Sequence, residues 1–297
     1  MSENFRCGYV SIIGRPNVGK STLLNRLVGQ KISITSKKPH TTRWRLLGIK
    51  TTIDYQVIFI DTPGLQNKRQ TSLHRHMQLE IVESLAYVNV IIFVIEALVW
   101  TQTEEQILAI ISNKNYPVIL VINKTDKVKN KQQLLPFIDP IAKKYNFREV
   151  LPVSAEKGDN VDLIETTVVP LLPHASAVFP EDQLSDRNER FFAAEFIREK
   201  LTRRLGAELP YRISVTIEKY TDKIQSAHII GNIWVENNNQ KKIVIGKNGS
   251  NLKYVGEASR KDMEKMFGKK VFLETWVQVR KKWTGDPQAL KLFGYES

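Results

Sequence analysis

Gly14-Arg15-Pro16-Asn17-Val18-Gly19-Lys20-Ser21 fits the pattern G-x-x-x-x-G-K-[ST], with Thr22 carrying the chain on into a helical stretch. Such a loop suits a polyphosphate. Its glycines let backbone N–H groups converge on phosphate oxygens, Lys20 brings positive charge to the β- and γ-phosphates, and the Ser21 hydroxyl is a ligand for Mg²⁺. A plain strand–turn–helix connection needs neither the lysine nor the serine. About forty residues further on comes Asp61-Thr62-Pro63-Gly64, after an apolar run. An Asp there can hold Mg²⁺ through water, and the Gly64 N–H can bond a γ-phosphate, so the turn can sense whether that phosphate is present. Asn123-Lys124-Thr125-Asp126 ends another apolar run. Its Asp126 carboxylate can accept both the N1–H and the 2-amino hydrogens of guanine, and adenine offers neither. Ser154-Ala155 follows the next run, where a backbone N–H can meet the guanine O6. In that order the motifs predict a GTP site with Mg²⁺, with GDP as product.

The elements that must hold these residues are legible as short β-branched runs separated by helical patterns. The runs are 9–13, 46–52, 56–60, 90–95, 118–122 and 149–153. Near-continuous apolar runs between helices predict a mostly parallel sheet buried on both faces. The pair 46–52 and 56–60 is closely spaced, with Asp54-Tyr55 between, and fits an antiparallel hairpin. Residues 173–185, with Pro173, Ser176, Pro180 and Ser185, read as a linker between domains at 1–172 and 186–297. Asp186, three residues before Glu189, resembles a helix cap opening an amphipathic helix to about Leu205. Strand-like runs follow at 211–218 and 227–236, then a helix at 250–267 and a last strand at 270–279.

The composition supports two folded domains. The chain has 297 residues, 42% hydrophobic and 25% charged, against roughly 150 residues per domain. One cysteine, Cys7, allows no internal disulfide, and His74 and His76, two apart, fall on different faces of a helix rather than forming a metal pair. The N-terminus lacks a signal peptide's apolar core, and the most apolar stretch, 88–100, is too short to span a bilayer and contains Asn89 and Glu96. A cytoplasmic protein is expected. The net charge of +13 points to a polyanionic partner, either nucleic acid or an anionic membrane surface.

Gly246-Lys247-Asn248-Gly249 narrows that choice. A G-x-x-G loop between helices lets a sugar-phosphate backbone approach where no Cβ obstructs it. Most G-x-x-G sequences are ordinary turns, but this one lies in residues 240–283, where twelve Lys/Arg stand against four Asp/Glu. Lys241, Lys247, Lys253, Arg260 and Lys270 are candidate phosphate contacts, and Ile243, Val244 and Ile245 a candidate floor for unstacked bases.

GRPNVGKS, DTPG, NKTD and SA, in this order, resemble the translation-factor-related GTPases. The segment Lys31–Ser36 followed by Pro39-His40-Thr41-Thr42-Arg43 is similar to the Era-like branch, as is the KH-like C-terminal part. The resemblance covers essentially the whole chain. It implies an α/β P-loop GTPase domain with a mostly parallel sheet, then an α+β KH domain of the prokaryotic type II. It also implies a monomeric switch that binds the 3′ region of 16S ribosomal RNA during 30S subunit assembly, with peripheral contact to the inner membrane. Thr42 is then the mobile-segment ligand of Mg²⁺ beside Ser21 and Asp61, with Thr41 the alternative because two threonines are adjacent. Lys20, Thr42 and Gly64 become the candidates for the chemical step. Leu65 stands where Ras-type proteins place a water-orienting Gln, so no catalytic base is visible and slow intrinsic turnover is expected. Asn17 resembles a phosphate-loop asparagine that in some related GTPases binds K⁺.

Overall fold

The structure is a computed structural model that describes residues 4–36, 38, 41–64, 88–113, 115–206 and 209–294. Leu65, Lys37, Pro39, His40, His74, His76 and the segment 65–73 lie outside the described residues. Two compact units divide the described chain: residues 4–33, 42–64 and 88–186 form one, and 34–41 with 187–294 form the other.

The first unit is built on a six-stranded sheet. Its strands are β1 (Arg6–Ile13), β2 (Leu46–Thr51), β3 (Tyr55–Asp61), β4 (Val90–Glu96), β5 (Val118–Asn123) and β6 (Glu149–Pro152), in the order β2-β3-β1-β4-β5-β6. Every neighbouring pair is parallel except β2 with β3, which forms the hairpin expected from the close spacing. Ile91–Ile95 and Val118–Ile122 are essentially inaccessible, because helices cover the sheet's faces. Those helices are α1 (Lys20–Val28), α2 (Gln102–Ser112), α3 (Leu134–Ala142) and α4 (Val161–Val168). Thr101 and Glu104 close a capping box on α2, each side chain satisfying the other's backbone N–H. Parallel strands all end at one edge, so the loops after β1, β3, β5 and β6 come together there.

Residues 173–185 run along this unit. Cys7 N–H donates to Pro173 O, Ile49 N–H to Leu184 O, and Gln56 Oε1 accepts from the N–H groups of Val178 and Phe179.

The second unit packs three strands, β7 (Ser214–Lys223), β8 (Ser226–Val235) and β9 (Lys270–Val279), against helices. β8 is central, antiparallel to β7 and parallel to β9. The helices are α5 (Glu189–Arg204), α6 (Asn238–Ile245), α7 (Ser250–Phe267) and α8 (Pro287–Leu292). Two sequence expectations change here. Asn188 caps α5 by accepting from Phe191 N–H, whereas the Asp186 carboxylate accepts from Leu47 N–H in the first unit. Residues 238–245 form a helix that sequence reading did not assign. Its cap, Asn237, accepts from Gln240 N–H, and eight residues are too few to show a clear period of 3.6.

Candidate functional site

The loop Gly14–Gly19 joins β1 to α1, and its geometry requires glycine at its end. Gly19 has φ of 102°, and a Cβ there would stand 2.2 Å from Asn123 Nδ2. Lys20 folds back over the loop and is buried, its Nζ donating to Gly14 O and Arg15 O at 3.0 Å each. Burial lowers its pKa to about 8, against the opposing pull of the Asp61 carboxylate. A lysine so desolvated stands ready for an anion.

Beside it the three proposed metal residues converge. Ser21 Oγ lies 2.8 Å from Thr42 Oγ1 and donates to Asp61 Oδ2 at 2.8 Å. Ser33 Oγ donates to the same carboxylate oxygen at 2.9 Å. Asp61 Oδ1 is buried with no hydrogen-bond partner, and burial pushes the Asp61 carboxyl up. An orphaned carboxylate oxygen beside two hydroxyls is a hard-cation donor set. Thr41 turns its own hydroxyl to Lys38 O, so Thr42 and not Thr41 faces Ser21. Among the described residues no group of three or more His, Cys, Asp or Glu side chains forms a second candidate metal site. Thr62 Oγ1 donates to Ile12 O, and a Cβ on Gly64 would stand 2.6 Å from Pro16 N, so the Asp61–Gly64 turn runs directly against the phosphate loop.

At the other end of the site, Asn123 ties three loops together. Its Nδ2 donates to Val18 O, and its Oδ1 accepts from Lys124 N–H and Ala155 N–H. Ser154 Oγ donates to Asp126 Oδ1 at 2.6 Å and fixes that carboxylate. Lys124, at φ of 66°, sends its Nζ to Glu96, which also pairs with Arg15. Thr125 starts the short turn that carries Asp126. Asn17 also adopts positive φ, at 66°. Sequence reading missed Ser33 and Glu96, whose roles depend on loops that meet only across the sheet. No local motif marks either.

In the second unit, Gly246 (φ 77°) and Gly249 (φ 75°) bracket Lys247 and Asn248 between α6 and α7. A groove of about 360 Å³ opens beside this loop, lined by Gly249, Leu252, Lys253, Gly256, Glu257, Arg260, Leu273 and Thr275. Lys253 and Arg260 therefore line the groove; Lys241, Lys247 and Lys270 do not. Of the three residues expected to form an apolar floor, Val244 is excluded by its burial. Val244 is fully buried, Ile243 is exposed and Ile245 partly buried, because three consecutive residues of a helix cannot share one face. Leu252 and Leu273 are the leucines that line the groove.

Comparison with known proteins identifies both domains. Residues 9–124 match the family of 50S ribosome-binding GTPases, and residues 208–284 match the KH domain family. GTPase Era of Marinobacter nauticus is 46% identical over 97% of this chain and 95% of its own length. GTPase Era of Vibrio parahaemolyticus is 45% identical over 99% and 92%. A crystal structure of Era with MgGDPNP and nucleotides 1506–1542 of 16S ribosomal RNA superposes with a TM-score of 0.94, at 41% identity, over 99% of this chain and all of that one. An Aquifex aeolicus Era variant bound to GDP·AlF4⁻ gives 0.95 at 40% identity, with the same coverage. No helix among the described residues is long and apolar enough to cross a membrane. At 45–46% identity over nearly the full length of these relatives, with a GTPase-family match followed by a KH-family match, this chain belongs to the GTPase Era family.

Proposed function

We propose that the first unit binds GTP with Mg²⁺ and hydrolyses it to GDP and phosphate, and that the second grips the 3′ region of 16S ribosomal RNA during 30S subunit maturation. The observation that carries the first half is the convergence of Ser21, Thr42 and Asp61, with a buried carboxylate oxygen left unpartnered. Ser21 and Thr42 would ligate Mg²⁺ directly and Asp61 through water, and the ion would neutralise charge between the β- and γ-phosphates. Lys20 leaves the carbonyls of Gly14 and Arg15 for phosphate oxygens, the Gly64 N–H meets the γ-phosphate, and Asp126 selects guanine. Asn123 serves mainly as the pin between the phosphate and base loops. Asn17 is the candidate to hold K⁺ beside the phosphates.

The groove beside Gly249 supports the second half. Gly249 has nothing within 4 Å of where a Cβ would stand, so a nucleic-acid backbone can come close there, with Lys253 and Arg260 beside it. The basic surface also suits peripheral contact of a cytoplasmic protein with the anionic inner membrane. One preparation tests the reading. Wild-type chain should turn over GTP and retain labelled RNA on a filter. Lys20→Ala should lose nucleotide, and Gly249→Asp should lose RNA while keeping GTP affinity within about twofold, as expected for separate cores. Tight GTP binding without turnover would reduce the nucleotide to a structural element of an RNA chaperone.

A further inference from the structure

The sheet of the second unit has a second face, and it is aromatic. β9 alternates: Leu273 and Thr275 line the G-x-x-G groove, so Phe272, Glu274 and Trp276 point to the opposite side. Phe272 and Trp276 are each 57% exposed. Phe272 is paired in register with His228 of β8, and the two rings stack with centroids 4.6 Å apart and planes 20° from parallel. The next rows are Lys219–Ile230–Glu274 and Thr216–Asn232–Trp276. One row further the chain covers its own sheet: Phe293, just beyond α8, packs on Trp234 with ring centroids 5.3 Å apart. The cover stops there, and Trp276 and the His228–Phe272 pair stay open to solvent.

We propose that this open face is a second RNA-binding surface, a stacking platform for unpaired bases of the strand held in the G-x-x-G groove; the proposal rests on the RNA-binding reading above. Three observations choose RNA as the occupant. Two exposed rings four residues apart on one strand, roughly 13 Å at the usual rise, offer successive stacking sites on a flat surface. Exposed lysines frame them: Lys223 and Lys270 beyond the His228 end, Lys219 across from Glu274 and Lys281 past the Trp276 end. Against these, Glu274 is exposed in the middle row, and Glu218 is engaged by Asn232 Nδ2. The face is also continuous with the groove. β9 is an edge strand, so a chain leaving Leu273 and Thr275 needs to cross only that edge to reach Phe272 and Trp276.

The test uses full-length protein and two labelled single-stranded RNAs at fixed salt. One has roughly six nucleotides, enough for the four that a G-x-x-G loop clamps, and the other roughly twenty. Trp276→Ala and Phe272→Ala should each weaken the longer RNA by roughly 5- to 150-fold, the usual worth of one stacked base. They should leave the shorter RNA and GTP within about twofold, and Trp276→Phe should restore most of the loss. Gly249→Asp should weaken both RNAs. If Gly249→Asp changed neither, the groove itself would be misread. If the aromatic variants left the longer RNA unchanged while Gly249→Asp reduced both, the groove would stand and the platform would be overturned. An equal loss for both lengths would also overturn it, by showing a distorted fold. So would loss of binding to phosphatidylglycerol vesicles with RNA affinity intact, which would make the face a lipid contact.

Discussion

Asp126 shows how single residues here depend on neighbours outside their own motif. One of its carboxylate oxygens accepts a hydrogen bond from Ser154 Oγ, on a different loop. Asp126→Asn replaces an acceptor by an amide and should move preference from GTP toward xanthosine triphosphate. Two hydrogen bonds to a charged group are lost, about 1.5–3 kcal/mol each, so GTP affinity measured by titration should fall at least a hundredfold. Ser154→Ala should act in the same direction and more weakly, by about tenfold, since it loosens the carboxylate without removing it. A Ser154→Ala variant with wild-type GTP affinity would show that Asp126 needs no such support. The motif residues themselves were readable because phosphate, metal and guanine each demand a particular side chain at a fixed offset along one loop. Ser33 on Asp61, and Glu96 between Lys124 and Arg15, were not readable. Their partners come from distant parts of the chain, and a serine or a glutamate at a loop or strand end has many ordinary reasons to be there.

Among elements, the parallel strands of the first unit announced themselves as apolar runs, since a sheet covered on both faces must be apolar throughout. The helix α6 did not. Its Ile243-Val244-Ile245 reads as a β-branched run, and only the Asn237 cap and the neighbouring strands decide the matter. The two glycines that end α6 and begin α7 look equivalent in sequence yet differ in surroundings. A Cβ on Gly246 would stand 2.9 Å from Asn251, while Gly249 faces open space; both hold positive φ. Each Ala variant should therefore lose about 1 kcal/mol to backbone strain, with Gly246→Ala losing more through the added clash. Chemical denaturation would check this, and equal losses would contradict the geometry. α5 carries a stronger constraint. Glu199 is fully buried and accepts from Thr35 N–H, Lys200 Nζ and Arg203 Nη2 at 2.9 Å each, while Lys200 also pairs with Asp262 of α7. Glu199→Ala leaves those donors without their carboxylate and should destabilise the second unit by about 3–5 kcal/mol, with Glu199→Gln milder because it keeps an acceptor.

For the whole molecule, the division of the chain matters more than either fold alone. Ser33 and Thr42 belong to the first unit and bond to Asp61 and Ser21. The described residues between them belong to the second unit, where Arg198 donates to Thr41 O and Glu199 accepts from Thr35. The chain that supplies Thr42 to the metal residues is thus the same chain that α5 holds. Sequence reading placed a mobile segment at 31–43 but gave no hint that its Thr35 and Thr41 are held by α5, because those bonds are made by ordinary Arg and Glu side chains far along the chain. Ordering of Thr42 by a γ-phosphate is therefore expected to bear on the second unit, and with it on RNA. The most direct measurement is the affinity for a labelled 16S RNA 3′ fragment at constant salt, with the protein saturated first by a non-hydrolysable GTP analogue and then by GDP. Salt must be constant because phosphate contacts dominate RNA affinity. A ratio of roughly 5 to 150 in favour of the analogue is expected, with RNA raising analogue affinity over GDP by the same factor. Equal affinities in the two states would contradict the coupling and leave a GTPase and an RNA-binding module that only share a chain.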